Sequence, residues 1–224
     1  FQNPDDQALF TKHKIIYPEH AFKIKGSGVD LQQFAYSSIP EGRIKIILVA
    51  RMLWDKGVAE FVKSATALKQ QEIDADFILV GSVDLGNPES ISSKQLEQWN
   101  KSGVVKWLGE RADIAQLLAE SHIAVLPSYR EGLPKSLIEA AAVGRAIVTT
   151  DVPGCREVVK DGENGFLVPA KDAKELSIAI QKLINNPKLL TSMGKKSRLM
   201  AEQEFSIQQI VEQTLKLYRD LKEL

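Results

Sequence analysis

Apolar residues along this chain fall into short, nearly continuous runs that end on turn residues. They are IKIILVAR (44–51), DFILVG (76–81), VVKWLG (104–109), HIAVLP (122–127), RAIVTT (145–150) and, after the turn DGENG, GFLVP (165–169). Between them the apolar spacing changes to three and four, in VAEFVKSATALKQQ, SKQLEQWNK, ADIAQLLAES and PKSLIEAAAV. A run that is apolar at every position predicts a strand covered on both faces, and amphipathic helices between such runs supply the cover. The expected class is α/β, a doubly wound parallel sheet; an α+β domain with an antiparallel sheet is the alternative.

The pattern changes from Lys171 onward, where only helical spacing remains: KDAKELSIAIQKLINN, PKLLTSMGKKSRLMAEQ and SIQQIVEQTLKLYRDLKEL. Pro187 separates the first two helices, and Ser206 is placed to cap the last. In that last helix Ile207, Ile210, Val211, Leu215 and Leu217 form a stripe fit to pad the sheet or to meet another domain. The polar stretch GSVDLGNPESISS (81–93) reads as a long loop at the ligand edge of the sheet.

Composition narrows the function classes. With 224 residues the chain can bury a sizeable core, and 44% hydrophobic with 26% charged residues is a globular balance. Lys+Arg and Asp+Glu stand at 29 each, so no global charge points to nucleic acid. The single cysteine, Cys155, excludes an intrachain disulfide and fits a reducing compartment. No apolar run approaches the roughly 20 residues of a membrane span. The opening FQNPDDQALF lacks Met and starts on an aromatic, which is the expectation for a piece of a longer protein.

In open α/β sheets ligands bind beyond the carboxyl ends of the strands, so the candidate residues are those that follow each run. Arg51 and Lys56 follow the first. A guanidinium fork and an ammonium together suit a diphosphate, with Gly57 opening a helix beside them; two solvated surface cations are the alternative. Glu110 and Arg111 follow the third run. After the fourth comes SYREGLPKSLIEAAAVG (128–144), where Pro134 suits a first helical position and leaves the amides of Lys135 and Ser136 free to meet an anion. Glu139, on that helix, has the chemistry to accept two hydrogen bonds from a ribose diol, and Glu131 precedes it on the loop. A solvated loop acid and an exposed helix residue are the plainer readings of the two glutamates.

Other candidates carry less. GSGVD (26–30) lacks the third glycine of a dinucleotide fingerprint. Asp74 and Asp76 precede their strand and so sit at the wrong end of the sheet for a metal site there. His13, His20 and His122 lack ligand spacing, Cys155 reads as a small packed residue, and neither a nucleophile elbow nor a P-loop is present.

Arg51 and Lys56 in RMLWDKG, the two glutamates of EGLPKSLIE, and TTDVPGCREVVKDGENGFLV together resemble the C-terminal half of the family-4 retaining glycosyltransferases of GT-B fold. The resemblance extends over essentially the whole chain. It implies a Rossmann-like donor-binding domain over residues 1–224, with residues 1–30 near the interdomain crossover, 206–224 as the C-terminal helix, and the N-terminal acceptor domain missing. Similar bacterial enzymes build surface polysaccharides and glycans, which implies a UDP-hexose or UDP-N-acetylhexosamine donor. A GDP-mannose-type donor, or a nucleotide-binding module without activity, are the alternatives; a response-regulator-like domain would need acids where Arg51 and Lys56 stand. By position, Arg51, Lys56 and Glu131 would be the catalytic residues, Arg51 and Lys56 holding the donor diphosphate and stabilising the departing nucleotide, and the amides of Lys135 and Ser136 would touch its distal phosphate. Glu131, Gly132 and the Leu133 amide would face the sugar. Glu139 would bind the ribose, Glu110 and Arg111 would lie by the base, and Gly28 would face the donor from the interdomain side. No metal or other cofactor is expected, the partner is the nucleotide-sugar, and the location is cytoplasmic, with any contact to the inner face of the membrane made through the missing half. Pro134 departs from the pattern, since many relatives carry Gly there.

Overall fold

The computed structural model describes residues 1–222; the last two residues of the predicted C-terminal helix lie outside the described residues. Six strands form one parallel sheet: β1 (Ile44–Val49), β2 (Ala75–Val80), β3 (Lys106–Trp107), β4 (Ile123–Leu126), β5 (Ala146–Thr150) and β6 (Gly165–Val168). Their order across the sheet is β3-β2-β1-β4-β5-β6. Five lie within the apolar runs expected to form them, and β2 starts one residue ahead of its run, at Ala75. The third shrinks most, because only Lys106 and Trp107 of VVKWLG reach β2 to pair.

The strands are apolar at successive positions because alternate residues feed two cores. Ile46, Leu48, Phe77, Leu79, Val125 and Val148 pack on one face beneath α2 (Val58–Gln70), α3 (Ser93–Lys101) and α7 (Ala173–Ile184). Ile47, Ile78, Ala124, Leu126 and Ile147 pack on the other, beneath α4 (Ile114–Ala119), α5 (Lys135–Val143) and α6 (Cys155–Val158). The long α8 (Pro187–Glu204) lends Leu190 and Met193 to the first core and Ala201 to the second.

Two terminal helices differ from expectation. Pro4–Lys12 forms a helix, α1, that the apolar pattern did not signal; it buries none of its own residues. The last helix, α9 (Ile207–Lys222), takes Ser206 as its cap, the Gln209 amide donating to Ser206 Oγ at 3.3 Å. Of its apolar stripe only Ile210 is buried, Leu217 is half-buried, and Ile207, Val211 and Leu215 stay exposed. The stripe therefore does not pad the sheet. Among the described residues no helix is long and apolar enough to cross a membrane.

Candidate functional site

Strand order reverses between β1 and β4, so the loops leaving these neighbours diverge and open a crevice at their carboxyl ends. The β1 loop turns through a short 3-10 helix, Trp54–Lys56, into Gly57 at φ 69° and then α2. The β4 loop, residues 127–134, is bolted to that turn. The Tyr129 amide donates to the Asp55 carbonyl at 2.8 Å, and Ser128 Oγ donates to the same oxygen at 3.2 Å. The Tyr129 hydroxyl donates to buried Glu60 Oε2 at 2.9 Å, and Lys171 Nζ stands 4.8 Å from the Tyr129 ring centre. Burial, and then the bond to Glu60, push the Tyr129 hydroxyl up to about 12. It stays a neutral donor, which is what the strut needs.

This bolting brings the predicted residues together. Lys56 Nζ lies 2.7 Å from Glu131 Oε1, with both side chains about six-sevenths buried (16% and 14% exposed). Immediately beyond, α5 begins. Pro134 is its cap rather than its first helical residue, so the helix starts one position later than expected, because the ψ of 110° at Pro134 is extended rather than helical. The Pro134 carbonyl accepts from Leu137 and Ile138, while the amides of Leu133, Lys135 and Ser136 have no hydrogen-bond partner among the described residues. Glu139 lies on the same helix and is buried, not exposed. Burial pushes its carboxyl above the usual range, and Lys135, with Nζ at 3.7 Å, only partly offsets that. A cation, a row of open helix amides and a buried carboxylate thus lie in sequence across one crevice. That is the polarity of a ligand with an anionic centre and a hydroxyl-bearing end.

The flanking candidates are partly engaged elsewhere. Arg51 Nη1 pairs with Asp84 Oδ2 at 2.6 Å on the 81–93 loop. That loop is itself folded back on the β1 loop by a bridge between Leu53 and Ser90. Arg51 is 59% exposed, and such surface pairs are worth about 0–1 kcal/mol, so an arriving phosphate would displace Asp84 cheaply. Arg111 is clamped by both oxygens of Asp113, at 2.8 and 2.6 Å, and both Arg111 and Glu110 are exposed. Gly28 is not brought to this cluster. It adopts φ 73° against the start of α9, where a Cβ would meet Ile207 Cα at 2.8 Å. Gly26 is the glycine that lies against Leu133.

The remaining sequence candidates are structural. Asp74 and Asp76 both pair with Arg43, at 2.9 and 3.2 Å, at the strands' amino ends. Buried His122 accepts the Lys45 amide on Nδ1 at 3.1 Å, and Cys155 is buried with its thiol pushed up to about 11, chiefly by burial.

Four contributing residues leave little or no mark in the sequence. Glu60 and Tyr129 meet across 69 positions. Gly154, at φ 80°, lets the β5–α6 loop lie on the Glu131–Gly132 backbone, where a Cβ would meet the two carbonyl oxygens at 2.5 and 2.6 Å. Asn3, fully buried, donates from Nδ2 to the Gly132 carbonyl at 2.7 Å. Only Asn3 left a local trace, as an Asn-Pro helix start.

Known proteins resemble this chain in sequence and fold. The family described as "Glycosyl transferases group 1" matches residues 30–200. An N,N'-diacetylbacillosaminyl-diphospho-undecaprenol alpha-1,3-N-acetylgalactosaminyltransferase from Campylobacter jejuni is 43% identical over 173 residues, covering 77% of this chain and 44% of that protein. The capsular polysaccharide biosynthesis glycosyltransferase CapM of Staphylococcus aureus is 28% identical, over 92% of this chain and 58% of its own. The chain therefore spans about half the length of these relatives. Among solved structures, Anabaena HepE in complex with UDP and glucose superposes with a TM-score of 0.85 at 23% identity, over 97% of this chain and 61% of that one.

Proposed function

The chain belongs to the glycosyl transferases of group 1, and from that membership we propose that it is the donor-binding domain of a retaining enzyme. The whole enzyme moves a hexose or N-acetylhexosamine from UDP to an acceptor hydroxyl in bacterial glycan assembly. The observation that carries this reading is the Lys56–Glu131 pair set beside the open amides at the start of α5. The relative from Campylobacter jejuni favours an N-acetylhexosamine, since its name is that of an N-acetylgalactosaminyltransferase.

In this reading the bond from the anomeric carbon to the diphosphate oxygen breaks, the acceptor oxygen takes its place on the same face of the sugar, and the acceptor's hydroxyl proton passes to the departing diphosphate. Negative charge grows on the departing diphosphate, and donors already aimed at that charge lower the barrier. An ammonium has three N–H groups. Glu131 takes one from Lys56, which fixes the cation and leaves two for phosphate oxygens, with the Lys135 and Ser136 amides on the distal phosphate. Arg51 joins by leaving Asp84. These groups do the work without a metal. Glu131 and the Leu133 amide face the sugar, and Glu139 takes the ribose diol.

The ribose role of Glu139 sets stability against binding. Its carboxyl is raised in the fold, so the protonated form is favoured there, and stability is lost as pH rises from the ordinary carboxylate range through the raised value. Glu139→Gln, neutral at every pH, is expected to be more stable than the parent at pH 7 by on the order of 1 kcal/mol, with the gain gone at pH 4. The same change removes one acceptor oxygen and weakens UDP binding about fivefold. Melting curves at the two pH values, with calorimetry for UDP, check both signs; a Gln variant that binds UDP as well as the parent ends the ribose assignment.

Donor identity is tested on the longer protein with UDP-N-acetylgalactosamine, UDP-N-acetylglucosamine, UDP-galactose, UDP-glucose and GDP-mannose. Turnover with a UDP-N-acetylhexosamine should exceed that with GDP-mannose by at least about tenfold. Turnover with GDP-mannose alone contradicts the UDP reading.

A further inference from the structure

We propose that Asn3 is a positioning residue for the donor sugar, acting by aiming the Leu133 amide; this rests on the donor-domain reading above. The Gly132 carbonyl and the Leu133 N–H belong to one planar trans peptide unit, so they point in opposite directions. Asn3 Nδ2 donates to that carbonyl at 2.7 Å. Holding the oxygen therefore holds the N–H on the far side, where it has no hydrogen-bond partner among the described residues. Glycine at 132 has the freedom to let this peptide turn over, so an external tie is needed to select one orientation. Gly154 closes the other flank, its missing side chain giving the two carbonyl oxygens their space.

Asn3 is built for the task. Its Oδ1 caps α1 by accepting the Asp6 amide at 2.8 Å, and its Nδ2 also donates to Asp6 Oδ2 at 2.9 Å. The helix start is tied to the same loops by Asp6–Arg130 at 2.8 Å and by Asp5–Arg156 at 3.1 Å, with Arg156 also on Asp151 at 3.0 Å. Those ion pairs are solvent-facing and screened by salt, each worth little. The Asn3 side chain is buried and its bond to Gly132 part-buried, and breaking one end of such a bond costs more than losing an exposed pair. Asn3 is therefore the member that decides the peptide's orientation.

The test separates capping from aiming. Asn3→Ser keeps a good cap and loses the reach to Gly132; Asn3→Asp keeps the cap oxygen and loses the donor. Calorimetry on this chain compares UDP, which lacks a sugar, with UDP-N-acetylgalactosamine. Both variants should bind UDP within about twofold of the parent and bind UDP-N-acetylgalactosamine about tenfold more weakly. Without ligand, the Leu133 amide resonance should broaden or double in both variants as the peptide is released. Unchanged affinity for the nucleotide-sugar, or an equal loss for both ligands, overturns the proposal. If the parent binds neither ligand while the Leu133 resonance still responds to Asn3, the donor-domain reading is the one that has failed.

Discussion

Lys56→Ala is expected to lower the turnover of the longer enzyme by about 10² to 10³, the usual cost of removing one donor aimed at developing charge. UDP affinity should fall far less, because the α5 amides and Glu139 still hold the nucleotide in its ground state. The asymmetry follows from where charge grows: the diphosphate gains negative charge only as the sugar leaves, so Lys56 is worth most at that moment. Glu131 adds to the loss. Its carboxylate, only 14% exposed, is left without its cation, and the loop that carries it relaxes. Steady-state kinetics with UDP calorimetry on the same variant read both effects. Small and equal effects on the two would remove Lys56 from the chemistry.

Gly57→Ala should damage the site without touching any charged group. Gly57 is left-handed at φ 69°, and an added Cβ runs into the carbonyl oxygen of Pro127 and comes to 2.6 Å from its carbon. Both are backbone atoms, so the strand-end loop itself has to move. Left-handed strain in a non-glycine residue costs about 1–2 kcal/mol, and overpacking adds about 1–3. A total near 3 kcal/mol lowers the melting midpoint of a chain this size by about 6–12 °C. Gly42→Ala is the control. Gly42 also has positive φ, 94°, but nothing lies within 4 Å of its added Cβ, so only the strain remains. Equal midpoints for the two variants would show that the approach of the two loops is not tight.

The sheet was legible because burial on two faces leaves a direct mark: strands such as IKIILV carry no polar alternation. The position of the site was legible from the same runs through the rule for strand ends, which put Arg51, Lys56, Glu131 and Glu139 on one edge before any contact was known. What stayed hidden has specific causes. Helix α1 is mostly polar, so its only signals were Asn3 and Pro4 at its start, which the apolar pattern does not register. The stripe on α9 is real as a pattern, yet a pattern does not say what covers it, and only Ile210 of it is buried. Glu60–Tyr129, Arg51–Asp84 and Asn3–Gly132 join residues 69, 33 and 129 apart, and separation on that scale leaves no local spacing to read. The demand for glycine at 154 comes from a carbonyl of another loop, which is equally silent in one sequence.

One nucleotide is expected to lie across Lys56, the start of α5 and Glu139. Titrating UDP into this chain while following its backbone amide resonances, with EDTA present, tests it directly. The largest shifts are expected at Gly132, Leu133, Lys135 and Ser136, with smaller ones at Glu110 and Arg111. Shifts confined to the cavity at the opposite end of the sheet, around Lys45 and Lys106, or none at millimolar UDP, would contradict it.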